Sequence, residues 1–147
     1  MHIIVGILIT HLKNKVMGMH ATQVTHGIKI SVETKFHTEN SDPENRSFLF
    51  VYHITIENKS DYTVKLISRH WDIFDSSGEF SQVDADGVVG EQPLLEPGEV
   101  FDYESACDLT TDMGRMRGKY LMQRKMDKAR FYVTIPEFEL IVPQRLN

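Results

Sequence analysis

At 147 residues, 41% hydrophobic and 25% charged, the chain has the makings of one ordinary globular domain, with or without a tail, and not of a disordered chain. A formal net charge of −5 argues against nucleic acid as a partner held by bulk electrostatics. Cys107 is the single cysteine, which excludes an intramolecular disulfide and an all-cysteine metal site and suits a reducing compartment.

The N-terminal run Ile3-Ile4-Val5-Gly6-Ile7-Leu8-Ile9 is apolar but far shorter than the ~20 residues that span a bilayer. Lys13 and Lys15 follow the run instead of preceding it, the reverse of a secretory signal, so no membrane insertion is expected. Residues 1–20 read as an addition outside the domain, which then spans 21–147, either an extra edge strand or helix or a start placed upstream of Met17 or Met19. An exposed apolar run of this kind also invites pairing of two copies into a homodimer.

From there apolar residues alternate with period two, the signature of half-buried strands. A first strand runs from Ile28 to Phe36, and the polar turn Asn40–Asn45 leads to a second, in which Phe48, Phe50, Tyr52, Ile54 and Ile56 alternate. A third, Val64 to Asp75, places Ile67, Arg69, Trp71 and Ile73 on one face and Leu66, Ser68, His70 and Asp72 on the other. Pro93, Pro97 and Gly98 make Gly87–Gly98 a loop with at most short strands. Further strands follow at Phe101–Ser105, Tyr120–Met126 and Phe131–Val142, the last changing register at Pro136 as a bulge would. About seven strands and no amphipathic helix predict an all-β, immunoglobulin-like antiparallel sandwich. Its expected core contains Phe50, Tyr52, Ile54, Trp71, Ile73, Tyr103, Phe131 and Val133.

Charge is segregated. Twelve acids and no Lys or Arg lie between His70 and Gly114, whereas residues 115–130 hold seven bases against Asp127 alone. Such blocks solvate a surface and pair across strands, or they orient a charged partner. Gly114–Tyr120 imitates a P-loop but has three residues between its glycines, and Tyr120 stands where magnesium needs Ser or Thr. Gln82–Pro93 imitates a calcium loop but lacks the closing carboxylate. The turn Gly87–Gly90 could offer backbone amides as an anion nest, although Asp84, Asp86 and Glu91 require a bridging divalent cation for any phosphate there. His70 and Asp72 share a strand face and are the candidate metal ligands, while His53 belongs to a strand of the opposite sheet. Arg69 on the core face needs an acid or an anionic ligand to offset its burial. Cys107 beside Glu104 and Asp108 is a poor thiolate, and no nucleophile–base pair is visible, so catalysis has no positive support.

Six segments carry a family resemblance: Phe50–Asn58, Leu66–Ile73 with its Arg69-His70-Trp71, Gly87–Pro93, Pro97–Ser105, Gly114–Tyr120 and Ile135–Leu140. Over residues 22–147 the chain resembles the bacterial ApaG family. The resemblance implies a fibronectin-type-III-like sandwich in a bacterial cytoplasmic protein, an association with cobalt/magnesium efflux, and, from related domains in eukaryotic F-box proteins, protein interaction. The family carries a Gly-x-Gly-x-x-Gly segment, whose first glycine is replaced here by Ala85. The expected function is a non-catalytic binding module for a protein, with no cofactor. Its contacts are Arg69, His70, the turn Gly87–Gly90 and a loop bearing Arg115, Arg117 and Lys119. The alternative is a sensor or hydrolase for a phosphorylated small molecule or magnesium-nucleotide, held by Arg69, Arg115, Arg117, Lys119 and the Gly87–Gly90 nest.

Overall fold

The period-two pattern closes into two antiparallel sheets. The structure is a computed structural model that describes residues 2–4 and 20–146. Its strands are β1 (His2–Ile4), β2 (His20–Thr25), β3 (Ile28–Phe36), β4 (Phe48–Asn58), β5 (Val64–Asp75), β6 (Phe80–Asp86), β7 (Leu94–Leu95), β8 (Val100–Leu109), β9 (Met113–Arg124) and β10 (Arg130–Ile141). One sheet has the order β1-β8-β4-β3-β2 and the other β10-β9-β5-β6, with β7 also pairing β5. The apolar run expected to lie outside the domain falls mostly beyond the described residues. Its described part, β1, pairs Ile3 with Cys107 at the edge of the first sheet.

Inward-facing residues of both sheets form one core. Phe50, Tyr52, Ile54, Trp71, Ile73, Tyr103 and Val133 are buried in it as expected, and Phe131 packs partly buried at its margin. Trp71 is the largest of them, edge-on to Tyr52 and Phe138 at ring-centroid distances of 5.5 and 5.8 Å. Cys107 is buried too, and its thiol is pushed up to about 12, first by burial and then by Asp108. The bulge around Pro136 is present, since the β9–β10 register shifts between Ile135 and Phe138.

Four features depart from the sequence reading, each for a local reason. In β5 the register against β9 shifts between Leu66 and Ser68, so Ile67 is an extra residue. Leu66 therefore points into the core with Arg69 and Trp71, and Ile67 leaves it. The strands β2 and β6 escape the period-two test because they lie at sheet edges and alternate polar residues with few apolar ones. Finally, β9 begins at Met113, so Arg115–Lys119 is strand and not loop. Gly118 looks like a breaker but is a close-approach residue: a Cβ there would lie 2.3 Å from the carbonyl of His70 on β5.

The end of β5 is locked by Asp75, which is buried. Its carboxylate accepts from the amide and hydroxyl of Thr110, both at 2.7 Å, from the Thr111 hydroxyl, and from the Ser77 amide at 3.1 Å. Burial alone would raise its pKa. The Thr111, Thr110 and Ser77 donors outweigh burial and bring it from 3.8 down to about 2.

Candidate functional site

The residues singled out by the sequence divide between the interior and one outer face. Arg69 belongs to the interior. Its Nη1 donates to the carbonyls of Gly87 at 2.6 Å and Asp86 at 3.1 Å. The cation on the core face is thus met by backbone carbonyls. It also sits in the electrostatic reach of Tyr52, Tyr103 and Tyr120, whose buried hydroxyls it partly stabilises as anions against the dominant effect of burial. The Tyr103 and Tyr120 hydroxyls bond each other at 2.5 Å, and Tyr52 bonds Ser105. The arginine joins a polar seam inside the sandwich and pins the turn that follows β6.

That turn is tight. Val88 and Glu91 exchange backbone bonds at 2.8 and 2.9 Å, the Gly87 amide donates to the Ile67 carbonyl at 2.9 Å, and the Gln92 side chain donates to the same carbonyl. Val89 and Gly90 have φ of 48° and 77°, the two left-handed residues of a type I′ turn. Gly87, at φ 55°, is obligatory, because a Cβ would fall 2.0 Å from the Glu91 carbonyl oxygen. Two of the four amides a Gly87–Gly90 nest would offer, those of Gly87 and Val88, are spent within the turn and its anchor. Arg69→Met should therefore loosen the turn and lower stability by about 1–3 kcal/mol, the cost of leaving buried carbonyls without donors. Hydrogen exchange at Gly87–Gln92 should accelerate with it. Unchanged exchange there would mean that Arg69 is not the anchor.

The other candidates converge on the outer face of β6-β5-β9-β10. Register places Asp84, His70 and Lys119 in one cross-strand row, Gln82, Asp72 and Arg117 in the next, and Phe80, Phe74 and Arg115 in a third. His70 is bracketed: Nδ1 meets Asp84 at 2.7 Å and Nε2 meets Asp72 at 3.0 Å. Asp72 in turn accepts from Gln82 at 2.9 Å and from Arg117 Nε at 3.2 Å. The Asp84 hydrogen bond raises the His70 pKa, burial opposes it, and the Asp72 bond adds to it. Both ring nitrogens are thus engaged by carboxylates. Among the described residues no three His, Cys, Asp or Glu side chains converge as a metal site. His53, on the opposite sheet, meets Asp102 at 2.8 Å and shares nothing with His70.

The cations stand on the same side of β9 at every second residue. Arg115 and Arg117 lie over the Phe74 ring at 4.7 and 5.2 Å, and Lys119 lies over the exposed Tyr132 ring at 4.3 Å. Arg115 also comes within 3.8 Å of Glu137. Between β9, β10 and the β2 residue Gln23 runs an open groove of about 510 Å³ whose walls include His70, Asp72, Arg117, Lys119 and Glu137. Asp84, Gln82, Phe74 and Tyr132 complete this face. The sequence singles out neither aromatic, and it shows Gln82 and Asp84 only as positions near the glycine turn, because they belong to an edge strand that periodicity does not reveal. The arrangement offers an open row of cations on aromatic supports and no enclosed pocket or nucleophile.

The model of the ApaG domain matches residues 38–124. Protein ApaG of Anaeromyxobacter dehalogenans strain 2CP-C is 47% identical over 127 residues, covering 86% of this chain and 99% of its own length. Protein ApaG of Brucella canis is 44% identical over 122 residues, covering 83% and 93%. Among solved structures, a Bordetella pertussis protein given the name ApaA aligns with a TM-score of 0.77 at 40% identity, over 80% of this chain and 94% of its own. A second X-ray structure, of a structural-genomics target, aligns with a TM-score of 0.77 at 34% identity, over 85% and 94%. With the Arg69-His70-Trp71 strand and the Gly87–Pro93 turn lying inside the matched region, and relatives at 44–47% identity over most of its length, the chain belongs to the ApaG family.

Proposed function

We propose that this chain is a non-catalytic interaction module that holds an extended, acidic segment of a partner protein on the outer face of β6-β5-β9-β10. The observation that carries the reading is the row Arg115, Arg117 and Lys119 on one side of β9. Alternate residues of a strand repeat at ~6.8 Å, the same interval as alternate side chains of an extended peptide laid alongside. Phe74 and Tyr132 hold the cations from beneath, and the exposed Phe80 and Tyr132 give the face apolar ends. The phosphorylated-ligand alternative loses support, because Arg69 is committed to the carbonyls of Asp86 and Gly87 and two amides of the Gly87–Gly90 turn, those of Gly87 and Val88, are engaged. The cobalt/magnesium efflux association carried by the family resemblance is, on this reading, exerted through the partner. We place the module in the cytoplasm, where its lone, buried Cys107 suits a reducing medium.

The test compares the full chain with the triple variant Arg115→Gln, Arg117→Gln, Lys119→Gln in an affinity capture from native cytoplasm. A partner recovered by the first should bind the second about tenfold or more weakly, or about 1.4 kcal/mol, with the melting temperature little changed. A parallel thermal-shift series with nucleotides and Mg²⁺ should leave both proteins unmoved. A nucleotide raising the melting temperature by several degrees, and doing so only with Arg117 in place, would overturn the reading.

A further inference from the structure

One end of the sandwich carries a cavity that the outer face does not account for. Three turns meet there: His26-Gly27 between β2 and β3, residues 59–63 between β4 and β5, and residues 125–129 between β9 and β10. They enclose a cup of about 360 Å³ that shares no lining residue with the groove on the outer face. Its size lies in the range of small-molecule pockets, and its walls are mainly apolar, as in such pockets. The floor is Val64, fully within the core, and the half-buried Phe131, whose ring is met edge-on by His26 at 5.5 Å. One wall is Tyr62, exposed at the surface and covered on its face by the Arg124 guanidinium at 4.8 Å.

The turn between β4 and β5 is built to stay open. Buried Asn58 donates to the carbonyls of Tyr62 at 2.7 Å and Leu95 at 3.0 Å and accepts from the amide and hydroxyl of Ser60 at 3.0 and 2.6 Å. This network holds Tyr62 at the rim without folding it into the cup.

The rim is cationic. The turns and their flanks carry Lys59, Arg124, Lys125, Lys128 and Arg130 against Glu57, Asp61 and Asp127, and Lys59 lies 3.8 Å from Glu57. The two arginines on the cup differ. Arg124 is neutralised by Asp127, with Nη2 and Nε at 2.7 and 3.2 Å from its two carboxylate oxygens. Arg130 has a neutral partner, the Gln123 side-chain oxygen at 2.9 Å, and among the described residues no carboxylate forms an ion pair with it. An apolar pocket with aromatic walls and one guanidinium left without a counter-charge is complementary to an aromatic body bearing a single negative charge. We infer that the cup binds a small aromatic carboxylic acid, its ring over Val64 and Phe131 and its carboxylate on Arg130.

The probe pair is 2-naphthylacetate and its uncharged analogue 2-naphthylethanol, titrated into the isotope-labelled full chain and read by amide chemical shifts. The expected result is an affinity for the acid on the order of 1 mM, ordinary for a ligand of that size, with shifts confined to the three turns. The acid should bind about fivefold more tightly than the alcohol, the scale of one partly exposed ion pair. Arg130→Gln should abolish that preference while leaving alcohol binding unchanged. Ala129→Phe, which places a ring in the cup, should weaken both ligands, with shifts elsewhere in the sandwich unperturbed. Shifts absent up to about 5 mM, shifts centred on Arg115–Lys119, or equal affinity for acid and alcohol in the unaltered chain would each overturn the inference.

Discussion

Trp71→Ala should lower the unfolding free energy by about 3–5 kcal/mol, a large share of the whole for a domain of this size. The indole is 1% exposed and joins the two sheets. Its edge meets Tyr52 of the five-stranded sheet and Phe138 of its own, and those aromatic contacts cannot close over the cavity left by a methyl group. Urea unfolding followed by far-ultraviolet circular dichroism checks the value, since the variant has no tryptophan left to report by fluorescence. A loss below about 1 kcal/mol would mean that the core relaxes around the site, against the packing described. Trp71→Phe should cost less, because it retains a ring between Tyr52 and Phe138.

The second large effect belongs to Asp75 and appears on acidification. Its carboxyl is held at about 2 in the folded chain against 3.8 ordinarily, so the unfolded chain takes up the proton first as pH falls. The stability it contributes is therefore complete above about pH 5 and is lost progressively toward pH 2, amounting to roughly 2 kcal/mol. Asp75→Asn removes one acceptor oxygen and sets an amide donor against hydroxyl and amide donors from Thr110, Thr111 and Ser77. It should cost about 2 kcal/mol at pH 7, with a correspondingly flatter stability profile between pH 5 and pH 2. Chemical denaturation at a series of pH values decides it. Parallel acid profiles for the two proteins would assign the acid sensitivity to other carboxylates.

How far the residues betray the fold depends on where each one sits. The β5 limits, Val64 and Asp75, are legible because apolar alternation, turn residues and strand length agree there. The bulge at Ile67 is not, since an extra residue among Leu66, Ile67 and Ser68 leaves an apolar side chain on either phase. The strand β6 is invisible to periodicity because an edge strand with Gln82, Asp84 and Asp86 outward buries too little to show a pattern. With it the Asp84 partner of His70 also disappears from view. Arg69 illustrates a different limit. Its inward phase was readable, but its partners are backbone carbonyls eighteen and seventeen residues onward, and backbone groups leave no trace in residue types. The glycines of β9 misled in the opposite direction, marking a close contact with β5 instead of a loop. What the sequence conveyed of the outer face was the charge of Arg115, Arg117 and Lys119; what it withheld was that they stand in line.

The order of strands has a kinetic cost. Only β2–β3, β3–β4, β5–β6 and β9–β10 are joined to a partner by a short connection; β4 must find β8, and β5 must find β9. Tyr52 opposite Ser105 and Trp71 opposite Gly118 are pairings that close long loops before either sheet has a core to sit on. Chains dominated by such pairings fold in milliseconds to seconds, orders of magnitude slower than helical bundles of equal stability. Of the two neighbours of β4, whose Phe48, Phe50, Tyr52, Ile54 and Ile56 stand in one row, β3 is next to it in the chain and β8 is not. Newly made chains at high concentration would then meet one another through β4 before β8 arrives, so that yield on refolding should fall with concentration well before native stability becomes limiting.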